Sequence, residues 1–170
     1  SMFKDATSFN QPLKSWNVSN VTYMYNMFAT AKSFNQNLSN WNVSHVNNMS
    51  YMFYATNFNQ PLDKWNVLSV NKMFSMFEVT QFNQPLNNWN VSNITDMQNI
   101  FSYTPFNQPL NNWNVLKATN MSGMFGSTYF NQSLENWNVS NVNLMGDMFA
   151  NTTSFNQPLN KWNVSKVLDI

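Results

Sequence analysis

A phenylalanine that opens a Phe-Asn-Gln triplet returns at Phe9, Phe34, Phe58, Phe82, Phe106, Phe130 and Phe155, at intervals of 24 or 25 residues. A tryptophan follows each opening Phe by seven positions: Trp16, Trp41, Trp65, Trp89, Trp113, Trp137 and Trp162. Leu13, Leu38, Leu62, Leu86, Leu110, Leu134 and Leu159 hold a third column without exception. Three columns in phase over seven copies leave one class of fold. No unit of this size can bury its own large side chains, but stacked copies can, each column becoming a ladder along a solenoid. The expectation is a single solenoid array over residues 1–170, cut within a repeat at both ends.

Each unit carries eight apolar columns, seen in the first copy as Phe9, Leu13, Trp16, Val18, Val21, Met24, Met27 and Phe28. Trp16-Asn17-Val18 alternates in, out, in, the period of a short strand. Val21, Met24 and Phe28 have the spacing of one helical face, with Ser19 placed to cap it. Pro12 is tolerated in a first helical turn before Trp16. The two longer intervals arise between the closing Phe and the next opening Phe, which marks that segment as a turn. One short parallel strand plus short helical or 3₁₀ turns per coil is therefore expected.

The spacing Leu13-x-x-Trp16-x-Val18 matches the strand segment of a leucine-rich repeat. The wider signature, seen in Phe82-Asn83-Gln84-Pro85-Leu86 followed by Trp89-Asn90-Val91-Ser92, closely resembles the BspA-like surface-protein repeats of mycoplasma-type lipoproteins. That resemblance implies a leucine-rich-repeat-like solenoid displayed at the cell surface or outside the cell, often within a longer anchored chain. It also implies adhesion to other proteins for some members. Where the family often carries Asp between Trp and Val, this chain has Asn in every copy, which removes a column able to hold cations.

Charge is sparse, at 9% of residues with a net of +1. Nothing resembles the basic footprint that holds phosphates, so nucleic acid is not expected as a partner. Solubility falls to uncharged polar groups, chiefly Asn, at about a fifth of the residues. Cysteine is absent, which removes disulfides, thiolate nucleophiles and thiolate metal sites. No apolar run approaches the ~18–20 residues of a membrane span, and no signal peptide is present in the chain.

Chemistry finds little foothold. His45 is the sole histidine and falls in a polar column with Asn20 and Asn93. A catalytic histidine needs a nucleophile and an orienting acid, and no carboxylate pair or ligand cluster accompanies it. Neither an enzyme nor a cofactor nor a metal is expected. The Trp and Met columns read as core, and the Asn10 and Gln11 columns as amide ladders along the axis. Two surfaces are candidates for binding. One is the outward column Asn17, Asn42, Asn66, Asn90, Asn114, Asn138 and Asn163. The other is the varying edge with Tyr25, Tyr51, Tyr54, Tyr103 and Tyr129. The leading expectation is a surface scaffold that binds an unknown protein through an extended face. A structural spacer that associates end to end, and a carbohydrate binder using exposed aromatics, are the alternatives.

Overall fold

A computed structural model describes all residues, Ser1–Ile170, as a stack of near-identical coils. The repeat solenoid stands, but its coils are built from turns. Within one coil the backbone closes hydrogen bonds three residues apart in succession: Leu13 to Trp16, Val18 to Val21, Met24 to Met27, Phe28 to Ala31 and Ala31 to Phe34. These are the bonds of β-turns. Coils join through isolated parallel bridges in one column, Tyr23, Asn48, Lys72, Asp96, Asn120, Leu144 and Asp169.

The strand expected at Trp16-Asn17-Val18 does not form. The Asn17 Oδ1 accepts the Ser19 N–H at 3.1 Å, and the Val18 carbonyl accepts the Val21 N–H. With these groups engaged locally, the segment bends and pairs with no neighbouring coil as a ladder. Alternation of Trp and Val toward the core therefore reports a turn here. Ser19 is not a cap either. Its hydroxyl makes no hydrogen bond and only its backbone is used, which explains how Leu68 and Leu116 can fill the same column.

The helix expected from Val21 to Phe28 is also absent, as is a helical turn over Phe9–Trp16. Two positions per coil adopt left-handed backbone, such as Asn26 (φ 56°) with Thr30 (φ 59°), and Ser75 (φ 53°) with Val79 (φ 58°). A left-handed residue cannot propagate a right-handed helix. It instead aims alternate N–H groups along the solenoid axis. Met24, Asn26, Phe28 and Thr30 donate to Asn48, Ser50, Met52 and Tyr54 of the next coil, and the pattern repeats along the chain.

The apolar columns fill the interior as one continuous core. Two files of phenyl rings run along it. Phe28, Phe53, Phe77, Phe101 and Phe125 follow one another at 5.8–6.0 Å, and each lies 3.9–4.0 Å from the opening Phe that follows it. Interior Trp side chains are buried, 2–3% exposed from Trp41 to Trp137. From Trp41 onward each indole N–H donates to the Leu carbonyl of the preceding coil at 2.9–3.1 Å, which removes the cost of burying it. The Asn10 column is a second file of bonds. Each Oδ1 accepts the backbone N–H of the next coil's Asn at 2.9–3.0 Å and its Gln Nε2 at 3.0–3.1 Å.

Candidate functional site

The interior columns repeat, so any feature that distinguishes one part of this surface from another must come from residues that do not. Six-residue stretches between the bridge column and the turn hold such residues: 25–30, 50–55, 74–79, 98–103, 122–127 and 146–151. Their Met or Ile and Phe positions point inward. The remaining positions change from coil to coil, among Tyr, Phe, Asn, Gln, Ser, Thr, Glu, Asp, Val, Ala and Gly. Glu78 and Asp147 are the only charged residues in these stretches, which contain no Lys, Arg or His.

Three of the five candidate tyrosines meet here. Tyr51 stands edge-on to Tyr25 (ring centroids 6.0 Å), Tyr54 (5.5 Å) and Phe74 (5.1 Å), at interplanar angles of 86–89°. Phe74 is the member of this aromatic patch that the sequence reading missed. Its column also holds Tyr25, but polar Ser50 lies between them and Gln98 follows, so the column shows no aromatic ladder that would draw Phe74 in. Beneath the patch, Ser50 is fully buried and its hydroxyl has no partner. Tyr103 is separate, 62% exposed, and Tyr129 stands alone on the turn before Phe130 at 65%.

Further along the same stretches the side chains shrink. Gly126 occupies the column of Tyr54, Glu78 and Ser102, while Gly123 occupies that of Tyr51, Ser75 and Asn99. A groove of about 260 Å³ opens there, bordered by Glu78, Asn99, Ser102, Tyr103 and Asp147. The Asn99 side chain lies across Gly123, where an added Cβ would stand 2.0 Å from Asn99 Oδ1. Burial pushes the Glu78 carboxyl above the usual glutamate range, opposed in part by a hydrogen bond with Ser75.

The outward Asn17 column is exposed in all seven copies. Each Oδ1 is engaged by the N–H two residues on, at 3.1–3.2 Å, so these amides present mainly their NH₂ groups to solvent. The bridge column separates them in sequence from the tyrosine patch. The two candidate surfaces are thus distinct. His45 is engaged in a coil-to-coil bond, its Nδ1–H donating to the Ser19 carbonyl at 2.9 Å. Asn93 and Asn141 donate from the same column at 2.9 and 3.0 Å. No group of three or more His, Cys, Asp or Glu side chains comes together as a metal site.

Fold and surface together define a repeat solenoid: recurring columns build the rod, and a short non-recurring stretch of each coil decorates it. A family model described as "Mycoplasma protein of unknown function, DUF285" matches residues 1–81 and 78–170, and the chain belongs to that family. Neither the curated proteins nor the solved structures contain a match to it. No helix is long and apolar enough to cross a membrane.

Proposed function

We propose that this chain is a non-enzymatic recognition scaffold, displayed at the cell surface, that adheres to partner proteins through an extended face. One observation carries the reading. Residues that break the repeat lie on the outer side of stretches whose inner side is monotonous, and here, unlike at the other varying positions, they bring aromatic rings together: Tyr25, Tyr51 and Tyr54, with Tyr103 further along. Repeat proteins bind through positions that differ from coil to coil, because a uniform surface offers no unique register. Tyrosines also supply large contact area at low conformational cost. By the same logic the uniform Asn17 column contributes less.

The BspA-like, leucine-rich-repeat kinship belongs to this reading as well. Membership of a mycoplasma family supports it, as do the buried Leu38, Trp41 and Val43, although this segment is a turn and not the strand of a leucine-rich repeat. Surface display rests on the same kinship.

The test is binding to a panel of purified extracellular matrix proteins. Serine at Tyr25, Tyr51, Tyr54 and Tyr103 together should weaken binding by about tenfold or more, roughly 1.4 kcal/mol, with the circular dichroism spectrum unchanged. Aspartate at Asn42, Asn66 and Asn90 keeps the turn acceptor and should leave binding in place. Loss from the Asn variant alone would move the interface to the other surface. No binding to any protein, combined with linear oligomers in light scattering, would favour the spacer reading.

A further inference from the structure

The groove between Glu78 and Asp147 is a site in its own right, and its construction is not forced by the fold. Gly126 has ordinary backbone geometry, and its column carries Tyr54, Glu78, Ser102 and Ala150 in other coils. An added Cβ there would come no closer than 3.4 Å to Gly123 O and Ser102 Oγ. The scaffold can therefore hold a side chain at this position, and this coil has none. Gly123 deepens the same depression and leaves room for the Asn99 amide.

Several polar groups converge on it with their hydrogen-bonding capacity unused. Across the rest of the surface the Asn10 and Asn17 columns spend their carbonyls on neighbouring N–H groups. The side chains of Asn99, Asp147, Asn151 and Ser127 make no hydrogen bond within the protein, nor does the Tyr103 hydroxyl. The backbone beneath them is satisfied. Asn99, Gly123 and Tyr103 donate to Ser122, Gly146 and Gly126, while Gly126 donates to Gly123. A ligand thus has no free strand edge to extend and must be gripped by side chains.

We propose that this groove binds a short, uncharged oligosaccharide. Each sugar hydroxyl both donates and accepts, and the groove offers carboxylates that accept, amides that donate and hydroxyls that do either. The Tyr103 ring, largely exposed at the wall, supplies an aromatic surface for the apolar face of a sugar. An anionic glycan would meet Glu78 and Asp147 with no cation nearby. A lysine side chain would satisfy a carboxylate but leave the amide donors without acceptors. Glu78 and Asp147 lie three coils apart, about 14 Å at the spacing of parallel neighbours, so the groove suits a chain of a few sugars. The inference rests on the reading of this face as the recognition surface, and it names the chemistry taken there.

The experiment is saturation-transfer NMR and calorimetry of the 170-residue chain against neutral trisaccharides of glucose, mannose, galactose and N-acetylglucosamine. Sialyllactose and a trilysine peptide serve as competitors. At least one neutral trisaccharide is expected to bind. Gly126→Tyr, which borrows the residue of its own column, and Tyr103→Ala should each weaken it by about tenfold or more. Tyr129→Ala, outside the groove, should leave it unchanged. Absence of binding by every neutral sugar would overturn the proposal, as would binding indifferent to Gly126→Tyr, or tighter binding of sialyllactose or trilysine. Matrix-protein adhesion in the absence of any neutral-sugar binding would leave the broader recognition reading standing without the sugar site.

Discussion

Threonine hydroxyls stand in for backbone carbonyls wherever a coil is one residue shorter. In the longer coils the opening Phe follows the closing Phe by six positions, and Phe34 and Phe155 donate their N–H groups to the carbonyls of Ala31 and Thr152. With a step of five that carbonyl is out of register. The buried hydroxyls of Thr56, Thr80, Thr104 and Thr128 accept the N–H of the next Phe at 3.2–3.3 Å and donate to the preceding Phe carbonyl at 2.6–2.8 Å. Thr80→Val should therefore strand the Phe82 N–H and cost about 1–3 kcal/mol in urea unfolding. Thr152→Val should cost less, about 1 kcal/mol or under, since Phe155 keeps its carbonyl. The sequence marks the length change plainly, but the hydroxyl's task is invisible in it, because a threonine two residues before Phe resembles any turn residue.

Glu78 links the stability of the fold to pH. Burial raises its pKa in the fold, so folding favours the protonated form. The stability this contributes is present below the ordinary glutamate pKa and is lost as pH rises through the raised value. Glu78→Gln, neutral throughout, should lack this component. Urea midpoints of wild type and variant, compared from acid to neutral pH, should diverge in the variant's favour as pH increases.

At the level of the element, the coil is stabilised by side chains that do backbone work. Indole N–H groups, Asn carbonyls and Thr hydroxyls each satisfy main-chain partners that a strand or helix would satisfy by itself. Trp89 combines this bond, 2.9 Å to the Leu62 carbonyl, with nearly complete burial. Trp89→Ala should cost about 3–5 kcal/mol, measured by equilibrium unfolding. A loss under about 1 kcal/mol would be incompatible with that burial. The core columns were legible because large residues recurring at fixed intervals have one place to go. The turns were not. Trp-Asn-Val alternates like a strand, and Val-Met-Phe spaces like a helix, yet Asn17 and the left-handed Asn26 and Thr30 override both patterns. Non-glycine residues at such φ values are costly in isolation, about 1–2 kcal/mol each, and bonds to the next coil offset that.

Across the whole molecule, stability should behave as a sum over coils and their interfaces. Deletion of residues 82–105, one complete coil, joins Gln81 to Phe106 in register. The product should still fold, with a lower urea midpoint and an m-value reduced by about a seventh, as surface exposed on unfolding scales with coil number. Failure to fold would mean that the columns are not interchangeable. The first and last coils each cover the core on one side only. Met148, Phe149, Trp162 and Ile170 border a depression of about 490 Å³, and Trp16 at the other end is 38% exposed.

The sequence by itself determined the stack: its period, its phase, the identity of the buried columns and the Asn-Gln ladder, since each follows from recurrence and polarity alone. Only the tertiary structure decided how the backbone travels between those columns and which outer residues become neighbours. Tyr25, Tyr51, Tyr54 and Phe74 come from three coils, and the groove at Gly123 and Gly126 draws on four. Such proximity depends on the handing of N–H groups from one coil to the next. That handing is fixed by φ angles and side-chain acceptors that hydrophobic periodicity does not encode.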